Sequence, residues 1–127
     1  MRFFICGSAL TGQPDNKNLA GAKLLGPART AAKYRLHAVK NGWHPGIYKV
    51  DNSGISILGE LYELTPEQHA SLMAGEPPDM NQVTIEMEDG SNAEAMLYPR
   101  ELIEKHGYPD ISRFGGWAAY KAAAHTP

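Results

Sequence analysis

Cysteine is almost absent from this sequence of 127 residues, and the single one, Cys6, excludes an internal disulfide and a cysteine-based zinc site. Charge of one sign is also lacking. The net charge is −2, and acidic and basic residues are interspersed. The sequence therefore shows no basic patch for nucleic acid and no basic run for a membrane surface. The apolar run from Phe3 to Cys6 is shorter than the roughly 7–15 residues of a signal-peptide core. We therefore expect a cytoplasmic protein with no nucleic-acid or membrane partner.

Motifs for metals, cofactors and covalent catalysis are missing as well. The histidines form neither an HExxH pair nor an HxH pair, and no Gly-rich phosphate loop or G-x-S-x-G elbow is present. Cys6 has no recognisable base beside it, so the expected role is that of a small buried apolar residue. The sequence thus predicts no metal and no cofactor. The five histidines are His37, His44, His69, His106 and His125.

What is present is the pattern of a single α+β domain. The composition, 43% apolar and 20% charged, is that of an ordinary globular chain. The stretch "FFIC" predicts a buried first strand, and "YRLHAV" alternates as a strand does. Two hairpins are predicted, one turning at residues 51–54 between "GIYKV" and "ISILGELYEL", the other at Asp89-Gly90. Because the strand faces are largely apolar on both sides, we expect a small closed or nearly closed barrel.

Helix signals stand between and after these strands. A short helical turn is predicted around residues 19–23. A full helix begins after Thr65, which has Pro66 at the first helical position and Gln68 three residues after the cap, and it ends at Gly75.

The C-terminal tail is predicted to be helical, with starts at Pro99 and Ser112 and a stop at Gly107. In its second helix an aromatic face is expected to pack on the domain's own core or on a second subunit. That face comprises Trp117, Tyr120, Lys121 and Ala124. We divide the chain into a barrel over residues 1–98 and a helical extension over residues 99–127, packed on the same domain or on a partner.

The first strand runs directly into Gly7-Ser8-Ala9-Leu10, a candidate ligand-binding loop. Glycine permits backbone conformations that expose successive N–H groups, and such groups form a concavity for a carboxylate or another oxyanion. Many Gly-Ser turns bind nothing, so this pattern alone is weak.

A family resemblance strengthens that interpretation. The stretches "FFICGSAL", "YRL", "ILGELYEL" and "QVTIEMEDGSNAEAMLY" resemble, in order and spacing, the gamma-glutamylcyclotransferase-like fold over residues 2–98. Other stretches are more similar to the C-terminal domain of allophanate hydrolases and its stand-alone relatives. These are "CG" in place of "YG", "YRLHAV", "PGIYKV" and the "PP" bend. The tail "DISRFGGWAAYKA" resembles the ending of those relatives.

This resemblance implies a small barrel whose cavity mouth is lined by the Gly7–Leu10 loop. In cyclotransferases the loop backbone holds the glutamyl part of the substrate, and a glutamate in a Glu-Gly pair transfers protons. Aligned on Pro77-Pro78, this chain has Ala74-Gly75 in place of that pair. Glu76, two residues later, is therefore a candidate for the proton-transferring glutamate at a displaced position. A glutamate in such a loop is more commonly a solvent-exposed residue without that role. Glu60 is a second candidate, because it shares a strand face with two apolar residues and could point into the barrel with a raised pKa.

Other candidate ligand-binding residues lie on the strands and loops around this site. Cys6 replaces the loop's usual tyrosine. Tyr34 and Arg35 point to opposite faces of one strand, so at most one faces a cavity, and Arg35 could hold a carboxylate ligand or form a surface salt bridge. His44, in "GWHPG", could carry protons near neutral pH.

Three functions remain open at this level. The first is a binding domain that holds a small carboxylate or amide ligand on the Gly7–Leu10 loop, without cyclotransferase activity. The second is an enzyme, a transferase or hydrolase of cyclotransferase or allophanate-hydrolase-related type, that uses Glu76, Glu60 or His44 as acid or base. The third is an assembly module for an amidase or for a homodimer, through the C-terminal helix. Fold alone does not choose among them.

Overall fold

The computed structural model describes residues 1–7 and 9–124, and over these residues the strands form a five-stranded and a two-stranded sheet. The strands are β1 (Arg2–Ile5), β2 (Lys23–Arg29), β3 (Tyr34–Val39), β4 (His44–Lys49), β5 (Leu58–Glu63), β6 (Asn81–Glu86) and β7 (Asn92–Leu97). The helices are α1 (Pro66–Ala74), α2 (Arg100–His106) and α3 (Trp117–Ala124), with short 3₁₀ helices at Pro14–Leu19 and Ser112–Phe114. The expected α+β class is confirmed.

The larger sheet has the order β2-β5-β1-β7-β6 and is antiparallel except for the parallel pair β1–β7. Its two edge strands meet at one end. There the Ala31 N–H donates to the Glu86 carbonyl at 3.0 Å, and the Glu88 N–H donates to the Arg29 carbonyl at 3.0 Å. Among the described residues a closed barrel is therefore not observed. The edge strands of the larger sheet are joined at this end only, and β3 and β4 form a separate two-stranded sheet.

Of the two predicted hairpins, one is confirmed and one is wrong. β6 and β7 pair in antiparallel register across the Asp89-Gly90 turn. The turn at residues 51–54 joins two different sheets instead, because β4 pairs with β3 while β5 pairs with β1 and β2.

β2 is absent from the sequence-based prediction, and the helical turn predicted around residues 19–23 is wrong. The 3₁₀ helix lies earlier, at Pro14–Leu19, and the chain is already extended at Lys23. β2 is an edge strand that leaves Leu24 and Leu25 nearly half exposed and has a register shift before Gly26. Such a strand shows no clean alternation of apolar and polar residues.

The helix ends follow their sequence signals with one exception. At α1 the Thr65 side chain accepts from the Gln68 N–H at 3.2 Å, and the Gln68 side chain accepts from the Thr65 N–H at 2.9 Å. α2 begins after Pro99 and ends at Gly107 in the left-handed conformation. The helix predicted from Ser112 is interrupted, because Gly115 adopts a φ of 73° that ends the 3₁₀ helix before α3 begins.

The C-terminal segment packs on the chain's own core. Trp117 is 1% exposed and belongs to the same cluster of buried residues as Phe3 and Leu36. No helix among the described residues has the length and hydropathy needed to cross a membrane.

Residues 110–112 fasten this segment to β3. The Ile111 N–H donates to the Leu36 carbonyl at 2.8 Å, and the Leu36 N–H donates to the Ser112 hydroxyl at 2.9 Å. Arg35 donates to the Asp110 carboxylate at 2.7 Å, so it forms a surface ion pair. Burial alone would raise the pKa of Asp110, but hydrogen bonds from Ser112 and Arg35 outweigh it and lower the pKa to about 2.

Asp110→Asn is expected to destabilise the protein by about 1 kcal/mol at pH 7, a figure discounted for the partly exposed carboxylate. The folded pKa of about 2 lies below the ordinary aspartate pKa of 3.8, so this stability is present above pH 4 and lost as the pH falls through 2. Urea unfolding at pH 7 and near pH 2 measures the difference, with Asp51→Asn in the exposed 51–54 loop as the control. An Asp110→Asn variant as stable as the unsubstituted protein at pH 7 contradicts the role of this anchor.

Candidate functional site

A small cavity lies where the end of β1 meets β4 and the segment that follows α1. Its volume is about 50 Å³. At roughly 10–15 Å³ for each water, this is room for about three to five water-sized groups. Its walls are mainly apolar, and the functional groups that line it belong to Cys6, Gly7, Ala9, His44 and Glu76.

The loop after β1 is held against β4 by a close contact. A Cβ on Gly7 would lie 2.5 Å from Cδ of Pro45, so no larger residue fits at position 7 without displacing the proline ring. The Leu10 N–H donates a hydrogen bond to the Gly7 carbonyl at 3.0 Å. The N–H groups of Gly7 and Ala9 have no acceptor among the residues that the structure describes, and both residues line the cavity. Ser8 lies outside the described residues.

Glu76 lies on the cavity wall and is partly buried, so the expected solvated loop position is not observed. It comes directly after the helix end at Gly75, where its N–H donates to the Met73 carbonyl at 3.3 Å. Burial, with a smaller contribution from the charge of Asp15, raises the pKa of Glu76 to about 7. A carboxyl group with such a pKa exchanges a proton near neutral pH.

His44, at the start of β4, presents a hydrogen-bond acceptor. The side chain is 2% exposed, and its Nδ1 lies 2.9 Å from the Pro45 carbonyl. A carbonyl oxygen only accepts, so Nδ1 carries the proton and donates. Burial lowers the pKa of His44, and the neutral ring therefore has a free lone pair on Nε2. This buried Nε2 has no partner among the described residues.

Cys6 is held in its protonated form. Burial of the thiol, together with the charge of Glu76, raises the pKa of Cys6 to about 12. A thiol is a weaker nucleophile than a thiolate, so the raised pKa gives no support to Cys6 as a nucleophile.

Four other candidate residues lie away from this cavity. Glu60 accepts from the Thr11 N–H at 2.9 Å and, with Leu10, lines a separate groove beside α3. The Tyr34 hydroxyl accepts from the Glu86 N–H at 3.1 Å, and Arg35 is engaged with Asp110. The structure thus brings Glu76 and His44 together with the loop, and places Glu60, Tyr34, Arg35 and Leu10 elsewhere.

Sequence reasoning missed two contributors to the site. Pro45 shapes the loop through its contact with Gly7, and Asp15 acts on Glu76 through its charge. The "GWHPG" motif, already considered for His44, could have indicated Pro45. Nothing in the polar segment around Asp15 distinguishes that residue from its neighbours. The described residues include no group of His, Cys, Asp and Glu side chains placed to hold a metal ion.

Comparison with known families gives one match that spans nearly the whole chain. The family model of the allophanate hydrolase C-terminal domain matches residues 1–122. No curated protein sequence matches the chain.

Solved structures with the same fold include both stand-alone proteins and a domain of a larger enzyme. The protein c4763, specific to uropathogenic E. coli, is 29% identical with a TM-score of 0.85, covering 99% of this chain and 97% of that chain. Allophanate hydrolase of Kluyveromyces lactis is 23% identical with a TM-score of 0.90, and the likeness covers 98% of this chain but 21% of that one. An aig2-like protein of Mus musculus is 20% identical with a TM-score of 0.65, covering 79% of this chain and 80% of that chain.

Glu76→Gln is expected to stabilise the protein at pH 8 by about 2 kcal/mol and to leave it unchanged near pH 4. The folded pKa of about 7 lies above the ordinary glutamate pKa of 4.5. The stability contributed by the bound proton is therefore fully present below pH 4.5 and is lost as the pH rises through 7. A neutral glutamine avoids that loss.

Thermal and urea unfolding across pH 4 to 8 measure this effect, and Glu88→Gln in an exposed turn is the control. Parallel pH profiles for the Glu76→Gln variant and the unsubstituted protein would show that the carboxyl group is not buried in the way described.

Proposed function

The chain belongs to the family of allophanate hydrolase C-terminal domains, and from this membership and the cavity we propose that it binds a small carboxylate or amide group, without cyclotransferase activity. The observation that carries the proposal is that Gly7, Ala9 and Glu76 line one cavity, and that the N–H groups of Gly7 and Ala9 have no acceptor among the described residues. The two N–H groups supply donors for a ligand oxygen. Glu76 and His44 supply the groups that distinguish an amide from a carboxylate.

An amide matches these groups better than a carboxylate does. Its carbonyl oxygen accepts from the loop N–H groups, and its N–H donates to Nε2 of His44, which otherwise stays buried without a partner. A carboxylate has no proton for Nε2 and is repelled by Glu76 once that side chain ionises, so it needs Glu76 in the protonated form.

The absence of cyclotransferase activity is supported by the sequence. The Glu-Gly pair of cyclotransferases is replaced by Ala74-Gly75.

Propanamide and propanoate, titrated into the protein at pH 6 and pH 8 and followed by NMR, test this function. Both are expected to shift the amide resonances of Gly7 and Ala9. Propanoate is expected to bind roughly tenfold more weakly at pH 8, because Glu76 is then ionised, whereas propanamide keeps its affinity. Glu76→Gln is expected to remove the pH dependence, and Glu88→Gln to keep it. If neither compound perturbs the loop resonances, the proposal fails.

A second candidate, an enzyme with Glu76 as general acid and base, is favoured by the raised pKa of that side chain. A pKa of about 7 suits a group that must both accept and give up a proton at neutral pH.

Incubation with γ-glutamyl-amino acids and with allophanate separates this candidate from the first. Pure binding predicts no turnover of either compound. Turnover that Glu76→Gln abolishes and Glu60→Gln leaves intact would establish the enzyme instead. Glu60 is a fair control because its carboxylate is engaged with Thr11 outside the cavity.

A further inference from the structure

We propose that Asn16 is a positioning residue of the binding site, which holds the backbone of the loop after β1 from outside the cavity and so keeps the Ala9 N–H available to the ligand. The inference deepens the proposed function and rests on it. Asn16 lies in the 3₁₀ helix at Pro14–Leu19 and does not line the cavity.

The described backbone groups of the loop divide into paired and unpaired ones. The Leu10 N–H donates to the Gly7 carbonyl at 3.0 Å, and the Leu10 carbonyl accepts from the Gln13 N–H at 2.9 Å. The Ala9 carbonyl accepts from the Asn16 side chain at 2.8 Å. The N–H groups of Gly7 and Ala9 have no acceptor among the described residues. Of the three bonds that hold the loop, only the one from Asn16 comes from a side chain.

The bond from Asn16 completes the hold on one peptide group. Because a peptide group is planar, bonds to the Ala9 carbonyl and to the Leu10 N–H together fix the plane that joins these two residues. The Ala9 N–H belongs to the preceding peptide and moves relative to that plane only through the φ and ψ of Ala9. Without Asn16 the plane is held on one side alone, and the Ala9 N–H samples more orientations.

The side chain of Asn16 also ties the loop to the five-stranded sheet. A carbonyl oxygen only accepts, so Nδ2 is the atom that lies toward Ala9. Nδ2 carries a second hydrogen, and the Tyr62 hydroxyl lies 3.3 Å from it. That hydroxyl donates to Glu60 at 3.3 Å, which leaves it a lone pair for Asn16. Tyr62 is 4% exposed and belongs to β5, so Asn16 links the loop to a buried point of the sheet.

The 3₁₀ helix that carries Asn16 also lies beside the acidic part of the site. A Cβ on Gly75 would lie 2.6 Å from Nδ2 of Asn18, so this helix packs against the end of α1. Glu76 follows directly, and burial together with the charge of Asp15 raises its pKa. Within the described residues the side chain of Asn16 bonds to the loop and to β5 and not to Glu76. Its removal is therefore expected to disturb the loop and to leave the carboxyl group as it is.

Asn16→Ala removes both donors and adds no charge near Glu76. Dissociation constants for propanamide and propanoate are measured by NMR titration at pH 6 and pH 8. Both ligands are expected to bind roughly fivefold more weakly, which is the effect of one misplaced hydrogen-bond donor. The shift that propanamide causes in the Ala9 amide resonance is expected to shrink.

The pH dependence distinguishes positioning from a general loosening of the cavity. The roughly tenfold weaker binding of propanoate at pH 8 comes from the ionised Glu76, so Asn16→Ala is expected to keep it. If the ratio between the two pH values is lost together with the affinity, the whole cavity has been disturbed and the positioning role is refuted.

A second variant and a control accompany Asn16→Ala. Tyr62→Phe removes the hydroxyl that holds the second hydrogen of Asn16, and it is expected to weaken propanamide binding roughly twofold. Asn52→Ala, in the exposed 51–54 loop, is the matched control and is expected to change neither affinity nor pH dependence. Urea unfolding shows whether each variant is folded under the titration conditions. If Asn16→Ala is not, Tyr62→Phe decides: unchanged propanamide binding in that variant refutes the role.

The outcomes separate the positioning role from the function on which it rests. If the unsubstituted protein binds propanamide and the folded Asn16→Ala variant binds it equally well, the positioning role is refuted while the proposed function stands. If the unsubstituted protein does not bind propanamide, the proposed function fails and the role of Asn16 fails with it. Weaker binding with a reduced Ala9 shift and an unchanged pH ratio supports the role.

Discussion

The contact between Gly7 and the ring of Pro45 is the constraint on which the rest of this site depends. β1 belongs to the five-stranded sheet and β4 to the two-stranded sheet, and position 7 is where the loop after β1 meets β4. With no room for a side chain at position 7, the loop backbone itself becomes part of the cavity wall. Gly7 and Ala9 both line the cavity, and their N–H groups have no acceptor among the described residues. His44 begins the same strand that carries Pro45, so β4 contributes both the contact with the loop and the buried imidazole of the cavity.

Burial favours the neutral form of each of the three ionisable groups in the cavity. It raises the pKa of Glu76 and of Cys6, and it lowers the pKa of His44. Slightly below neutral pH the cavity therefore contains a carboxylic acid, a thiol and an uncharged imidazole. A cavity of this kind offers directed hydrogen bonds rather than a fixed charge. For the proposed ligand this favours an amide, which offers both a donor and an acceptor, over an ion.

The class of fold and the well-signalled elements were predictable from the sequence because local rules determine them, and the family was predictable because its motifs recur in order and spacing. The capping box at Thr65, the stop at Gly107 and the Asp89-Gly90 hairpin each depend on a few adjacent residues. The hairpin at residues 51–54 was predicted by the same rules and is wrong. A turn signal shows that the chain reverses, but it does not show which strand each arm then pairs with. β4 takes β3 as its partner, and that choice depends on the packing of the whole domain.

The site was less predictable than the fold, and Glu76 shows why. Counting residues from Pro77-Pro78 leaves the expected glutamate missing and puts Glu76 two positions away. In a regular helix such a shift of two residues would turn the side chain to the opposite face. Here α1 has already ended at Gly75, and the chain is irregular up to β6, so sequence position no longer fixes direction. Glu76 consequently lines the same cavity as the loop. A carboxyl group with a raised pKa therefore lies beside the loop in a chain whose motif lacks the Glu-Gly pair, so the loss of that pair does not remove the carboxyl group from the cavity.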